Sequence, residues 1–348
     1  MSDDHLKSIE PGALKSNWRR WLNTLGSLLA LLLVYGIFAS IAPASFSTTR
    51  NLEMIARQTT IVGIAALGMT LVIIAGGIDL SVGSVVALST VVIAWLLQQS
   101  GMVGLFTNLG CEWLAPWAAA LGGVAAAALC GFVSGILITR LRVVPFIVTL
   151  GMMLVVRGAA KGIGREQKID VDPARLRWLE ELLASVPKER SWMLVPLGVW
   201  LLIVLAVVTA ALLRYTRLGR HIFAIGSNEQ TARLCGVAVE RVKLIVFTLG
   251  GACAGLGGLM QFSRLTVGDP TVAVGLELDV IAAVVIGGGS LNGGEGSVLG
   301  TMVGALIMTV IASGCTQMGM PNWVQEIITG AIIVVAVALD RLRHRRSA

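Results

Sequence analysis

The sequence predicts an all-α protein, a polytopic transmembrane helical bundle of about ten spans. Three observations carry that prediction. Hydrophobic residues make up 55% of the 348 residues and charged residues 14%, with a mean hydropathy of +0.83, a balance outside the range of soluble globular chains. Long apolar runs recur from end to end, divided by short polar or glycine-rich stretches. The 41 glycines suit helices packed closely in lipid, where small residues rather than hydrophobic force let backbones approach. GxxxG spacings at Gly131/Gly135, Gly251/Gly255, Gly296/Gly300 and Gly300/Gly304 fit close contacts either within the chain or across a dimer.

In chain order, residues 1–24 are polar, and Trp18, Arg19, Arg20 and Trp21 form a basic aromatic anchor. Leu25–Ala42 is the first apolar run. Ala42-Pro43-Ala44 mimics a signal-peptidase site, but the polar leader is long and the run exceeds a typical signal core, so an uncleaved first span is expected. Further runs lie near Ile55–Ala75, Val82–Leu97, Leu114–Ile138, Val143–Ala160, Trp192–Leu213, Val242–Phe262, Val272–Ile286, Ser297–Ser313 and Trp323–Leu339. Several are short for a ~30 Å hydrocarbon core, which needs about 20 helical residues. Those are expected to be broken or buried among neighbours. Trp113, Trp117, Trp192 and Trp323 lie near run ends, where interfacial anchors belong.

An even number of spans puts both termini on one side, and the positive-inside rule makes that side the cytoplasm. The inner loops then hold Arg140 and Arg142, the cluster from Arg214 to Lys243, and the tail Arg341, Arg343, Arg345 and Arg346. One outer segment, Arg157 to Arg190, opposes the rule with eight basic residues, but it also carries six acidic ones: Glu166, Asp170, Asp172, Glu180, Glu181 and Glu189. Within it Asp172 is a candidate N-cap and Pro173 suits the first helical position. Leu176, Leu179, Leu182 and Leu183 recur on one face before Pro187, an amphipathic pattern that lies on the bilayer interface or on the bundle. The net charge of +7 is spread over loops, so topology explains it better than nucleic acid does. Cys111, Cys130, Cys235, Cys253 and Cys315 show no CxxC and no nearby histidine, which points to neither a disulfide framework nor a metal site.

Two glycine-rich stretches interrupt the apolar pattern. In Gly76-Gly77-Ile78-Asp79-Leu80-Ser81-Val82-Gly83-Ser84, the glycine pair permits a break, and Asp79 or Ser81 is a candidate cap for the helix that follows. Broken helices in transporters also place backbone polar groups along a substrate path. The second stretch, Gly287 to Gly296, contains Gly288, Asn292 and Glu295, the latter two as candidate caps or path residues. It lacks the Gly-Lys-Ser/Thr ending of a phosphate-binding loop, as does the whole chain, so nucleotide hydrolysis is not expected here. Arg57, Arg157, Glu277, Asp279 and Glu326 fall in or near runs, where charge is expensive and an interfacial position is the expected resolution.

Between two of the most apolar runs lies a wet island, Arg214 to Arg241, carrying Arg214, Arg217, Arg220, Arg233 and Arg241. Ser227 and Asn228 are candidate N-caps of a short helix, with Gln230 three residues after Ser227 and Gly236 as the stop. A helix of roughly two turns is marginal alone, so it must be braced by the bundle, by another protein or by both.

The run TRLGRHIFAIGSNEQTARLCGV, with AGGIDLSVGS at Ala75–Ser84 and VVIGGGSLNGGEGSVLGTMVGAL at Val284–Leu306, resembles the permease subunits of bacterial ABC importers of the ribose, galactose, xylose and arabinose type, which belong with the branched-chain amino acid permeases. The resemblance covers about Leu25 to Leu339. It implies a permease domain over 25–340 flanked by cytoplasmic segments 1–24 and 341–348, an external segment 161–190, and a cytoplasmic coupling loop 214–241. It implies that Ser227, Asn228, Glu229, Ala232, Arg233 and Gly236 contact a separate ABC ATPase, which uses ATP and Mg, while this chain binds no cofactor and has no catalytic residue. Gly76, Gly77, Asp79, Ser81, Gly83, Gly288, Asn292 and Glu295 are then residues of the helix breaks or the substrate path. A solute-binding protein, a second permease copy or paralogue, and membrane lipid are the implied partners, in a bacterial inner membrane. The cargo is a monosaccharide or, in the same fold, a branched-chain amino acid, a nucleoside or a signalling furanone. An ion-coupled secondary transporter would need intramembrane acid and histidine relays, yet His5, His221 and His344 fall outside the runs. An intramembrane enzyme would need a clustered metal or nucleophile set, and none is seen.

Overall fold

The computed structural model describes the backbone of residues 12–99, 104, 108, 111–176, 178–185 and 195–345, with side chains from 26 to 338 within that range. The described chain is helical apart from one two-stranded ribbon and its loops. The helices are α1 (Gly12–Ile41), α2 (Thr49–Ile74), α3 (Val82–Gln98), α4 (Ala115–Leu141), α5 (Pro145–Ile163), α6 (Pro173–Leu176), α7 (Trp178–Glu181), α8 (Leu197–Tyr215), α9 (Arg217–Ser227), α10 (Glu229–Leu234), α11 (Val239–Leu265), α12 (Leu276–Ile286), α13 (Val298–Gln317) and α14 (Asn322–Arg345). The ribbon pairs β1 (Ile169–Asp170) antiparallel with β2 (Val267–Gly268).

A helix stands on each of the ten apolar runs. Six, namely α2, α4 with its preceding turn, α5, α8, α11 and α13, are long and apolar enough to cross a membrane. The eighth run departs from a full span. Its helix α12 has 11 residues, about 16 Å at 1.5 Å per residue, roughly half a hydrocarbon core.

The chain reaches α12 through a non-helical stretch that runs down the side of α3. Gly268 packs on Val91, and a Cβ on Gly83 would run into the Ala273 carbonyl. Those two points on α3 are about 12 Å apart along the helix. Irregular backbone is tolerated at such depth only when protein groups satisfy it, and Arg157 of α5 does so. Its Nη1 donates to the carbonyls of Pro270 (3.0 Å) and Val272 (2.7 Å). The interfacial position expected for Arg157 is therefore corrected: the side chain turns inward, to backbone.

The small residues resolve the choice between internal and intermolecular contacts. Gly131 of α4 and Gly251 of α11 face each other, and a Cβ on Gly131 would strike the Phe247 carbonyl. Gly255 packs on Ala127, and Gly135 on Leu244, continuing the seam. On the other side of the bundle Gly300 and Gly304 of α13 lie against the carbonyls of Gly287 and Ala283. All four predicted GxxxG pairs thus contain glycines packed within the chain. Hydroxyl pairs Thr70–Thr301 (2.9 Å) and Thr59–Thr309 (2.7 Å) tie α2 to α13, and Ser89 donates to the Gly255 carbonyl (3.0 Å). Such bonds are available because nothing in lipid competes for them.

At the ribbon end, the Ala174 amide donates to Asp172 Oδ1 (3.0 Å), so the predicted cap opens α6. Leu176, Leu179, Leu182 and Leu183 are all buried. They pack on the bundle rather than on the bilayer interface: the Leu183 amide donates to Ser263 of α11 (3.0 Å) and the Gly198 amide of α8 to the Leu182 carbonyl (2.7 Å). Trp113 and Trp323 are exposed as anchors require, whereas Trp117 also stacks on Trp178 at 4.1 Å. The side chains of Trp18, Trp21, Arg341, Arg343 and Arg345, and the whole of Trp192, Arg346 and the stop at Pro187, lie outside the described residues.

Replacing Gly131 with Val must push α4 from α11, at about 1–3 kcal/mol by the usual toll of overpacking. Thermal unfolding of the purified protein should show Gly131→Val melting clearly below the parent. Gly151→Val, at a glycine with open space around it, should melt close to the parent.

Candidate functional site

The wet island folds as two helices, one more than its sequence signals suggest. Thr216 caps α9 by accepting the Gly219 amide (3.1 Å), and α9 buries Ile222 and Ile225. Ser227 is the last residue of α9 and caps nothing, which corrects its reading as an N-cap. The chain changes direction at Asn228, whose extended backbone (φ −158°) leaves its side chain free to accept the Thr231 amide (2.8 Å) and open α10. Gly236, at φ +83°, ends α10, with its amide on the Arg233 carbonyl (3.0 Å). The periodicity of Leu218, Ile222 and Ile225 was the available signal for α9, but the arginines around it read as loop.

Only Ala232 of α10 is buried; Glu229, Arg233 and Cys235 face out, and Leu234 is 88% exposed. A charged clasp steadies the base of the helix. Lys243 Nζ meets Glu229 at 2.6 Å, and Arg233 bonds both Glu229 (3.4 Å) and Glu240. The Glu240 hydrogen bond raises the Arg233 pKa still further, so the cation persists at any working pH. Pairs this exposed set geometry more than they add stability. They also line a groove of about 300 Å³ together with Arg142 and Pro145.

Beneath α10 the three sequence stretches meet. A Cβ on Gly226, near the end of α9, would strike the Ile74 carbonyl of α2 and the Gly294 amide. From the second glycine-rich stretch, Gly293 (φ +86°) places its would-be Cβ 2.9 Å from Gly76 Cα and 3.0 Å from Gly226 Cα. The Gly294 amide donates to the Ile74 carbonyl at 2.9 Å. Backbone thus touches backbone among the end of α2, the end of α9 and the α12–α13 connection. No side chain intervenes. Gly226, Gly293 and Gly294 escaped selection as site residues; a lone glycine at a helix end reads as a cap, and only the fold shows which chain it must admit.

The other candidates separate into distinct roles. Asp79 is buried and accepts both the amide (2.8 Å) and the hydroxyl (2.6 Å) of Ser81. Neither residue caps the opening amides of α3, because Asp79 closes a turn on Ser81 and Ser81 makes no side-chain cap bond. Gly77 packs on Phe247 and Val72. Gly83 lies under Ala273 and the Glu277 carboxylate, away from the junction. Gly288, at φ +89°, ends α12. Asn292 and Glu295 are exposed, and Ser297, not either of them, caps α13 by accepting the Gly300 amide (3.0 Å). The N-cap of α12 is Gly275, with no side-chain bond, so Glu277 and Asp279 sit in its first turn without capping it.

Removing the Asn228 cap should loosen α10 by about 1 kcal/mol. In Asn228→Ala, hydrogen exchange at the Thr231 amide should quicken roughly fivefold, while the melting temperature of the whole protein holds.

Residues 51–337 match the family described as the branched-chain amino acid transport system permease component. The chain is 39% identical over 328 residues to the ribose import permease protein RbsC of Escherichia coli strain K12, covering 94% of this chain and 96% of that protein. It is 34% identical to the L-arabinose ABC transporter permease protein AraH of Azospirillum brasilense, with 97% and 94% covered. Its identity to the D-allose transport system permease protein AlsC of Escherichia coli strain K12 is 32%, with 94% of each covered. With the helical bundle, the helix breaks and the capped α10 in place over that same range, the chain belongs to this family of multi-pass ABC importer permeases.

Proposed function

We propose that the chain is the membrane-spanning subunit of an ATP-driven importer that carries a monosaccharide handed to it by an external solute-binding protein. The observation that carries this reading is α10: a short capped helix with an exposed Leu234, joined directly to α9, whose end sits by backbone contacts on two helix breaks. A separate ATPase, holding ATP and Mg, docks there on the cytoplasmic side, through Ser227, Asn228, Glu229, Arg233 and Gly236 around the leucine. Ala232 anchors the helix from below. The loop 214–241 and both termini are cytoplasmic, the segment 161–190 is external, and a second copy or a paralogue completes the path.

Mechanism follows from the seating. Closure of the ATPases displaces α10, and α9 carries the displacement to the Gly76–Gly226–Gly293 contact. There it reaches α2 and the α12–α13 connection together, tilting elements on both sides of the bundle between outward-open and inward-open states. The proposal of a sugar as cargo draws on relatives named for ribose, arabinose and allose. A branched-chain amino acid is the second reading, favoured by the family description.

Uptake into proteoliposomes holding the chain, its ATPase and its binding protein tests both parts. Labelled pentoses and hexoses should enter on ATP addition, and branched-chain amino acids should not compete. Gly236→Leu and Asn228→Trp should cut uptake at least about tenfold, equivalent to ~1.4 kcal/mol of lost coupling, while ATP turnover continues. Leu234→Asp should release the ATPase from the membrane fraction. Full uptake in these variants, or uptake driven by a proton gradient without ATP, would overturn the reading.

A further inference from the structure

Three ties converge on the stretch between α11 and α12, and all three come from α5 or the chain just after it. Arg157 of α5 holds the Pro270 and Val272 carbonyls. Lys168 Nζ meets Asp269 Oδ2 at 3.2 Å. The ribbon pairs Ile169 with Gly268 and Asp170 with Val267. Asp269 in turn fixes its own loop, accepting the amide (2.8 Å) and hydroxyl (2.6 Å) of Thr271. The segment that leads down to α12 is therefore packed on α3 but tied by polar bonds to α5 and the chain just after it.

One acceptor beside this latch is unused. Oε2 of Glu277, in the first turn of α12, is buried with no hydrogen-bond partner among the described residues, and it lies directly over Gly83. Over Gly83 that oxygen stands beside the Ala273 carbonyl, one residue from the Val272 carbonyl that Arg157 holds. An unpartnered buried carboxylate oxygen is expensive, and a guanidinium has five donors in a fixed fork. Turned from the loop to Glu277, the fork would exchange two neutral carbonyls for a charged acceptor, a bond of the stronger kind.

We infer that Arg157 is a positioning residue with two seats, the Pro270 and Val272 carbonyls in the present state and the Glu277 carboxylate in another, and that this exchange releases the segment 270–275 when the path opens outward. The inference rests on the importer reading and adds to it a latch at the end opposite α10. In the first seat the guanidinium stitches the loop closed over α12; in the second it binds α12 alone, and the loop beyond Asp269 keeps no tie to α5 while the ribbon and the Lys168–Asp269 pair still hold its start. A merely structural arginine would need only the first seat.

The test uses the complete importer in proteoliposomes, with uptake by the parent as the control; if the parent shows no ATP-driven uptake, the importer reading fails, not the latch. Glu277→Gln keeps the shape of the second seat and removes its charge. It should lower the maximal uptake rate about tenfold, the scale of one charged hydrogen bond, with the half-saturating concentration of loaded binding protein changed by less than about twofold. Arg157→Gln should match it, and Arg157→Lys should recover part of the rate. In a parent carrying Val274→Cys, at a side chain 77% exposed, labelling by an impermeant maleimide should differ between the nucleotide-free and vanadate-trapped states. That difference should vanish in Glu277→Gln. Parental uptake by Glu277→Gln, or Val274→Cys labelling that is the same in both states of the parent, would overturn the inference. If Arg157→Gln fails to insert, Glu277→Gln and the labelling decide.

Discussion

A backbone surrounded by lipid must find its hydrogen-bond partners inside the protein, and that constraint decides where this bundle is helical and where it is not. Each interruption is closed by a specific donor or acceptor. The Ile78 carbonyl, in the first break, takes the Thr149 hydroxyl of α5 at 3.1 Å. The end of α2 gives its Ile74 carbonyl to the Gly294 amide. The stretch before α12 is held by Arg157, and the stretch after it closes on itself, with the Ser290 amide on the Glu295 carbonyl at 3.2 Å. None of these bonds follows a helical ladder, and all connect segments far apart in sequence or stabilise a turn between them.

The same constraint explains which features the sequence made legible. Helix placement was readable because burial in lipid writes itself as apolar runs, and the GxxxG spacings named glycines at the true seams. The capped helix α10 was readable from Asn228 and Gly236, since capping is local chemistry. What was hidden depends on partners distant along the chain. Asp79 looked like a cap and serves a turn; Arg157 looked interfacial and serves two carbonyls more than a hundred residues away. Nothing local distinguishes those outcomes. The half-length of α12 was hidden for a related reason, because Val272–Gly275 is nearly as apolar as the helix it precedes but folds into turns beside α3, with Ala273 at φ +58° and Gly275 at φ +83°.

Seen from α12, the bundle has two kinds of attachment. Its C-terminal end leads into the glycine contact under α10, and its N-terminal end is reached through the stretch that α5 grips. A short helix held at both ends by non-helical chain can change tilt without breaking its own hydrogen bonds, whereas a full span such as α2, nearly enclosed by neighbours, cannot move alone. Packed interfaces of this kind shift between discrete arrangements rather than bending continuously. The elements able to move are thus the ones whose ends the sequence made irregular.

The backbone contact at Gly226 sets a lopsided limit on sequence drift. Where a carbonyl and an amide occupy the volume of a missing methyl group, one letter of the twenty is admissible, whatever cargo or organism the chain serves. A few residues along, Leu234 points into open space and meets no such veto. On the proposed docking of a motor at α10, a lineage could exchange one motor for another by rewriting the tip of that helix while the backbone contact beneath it stays frozen.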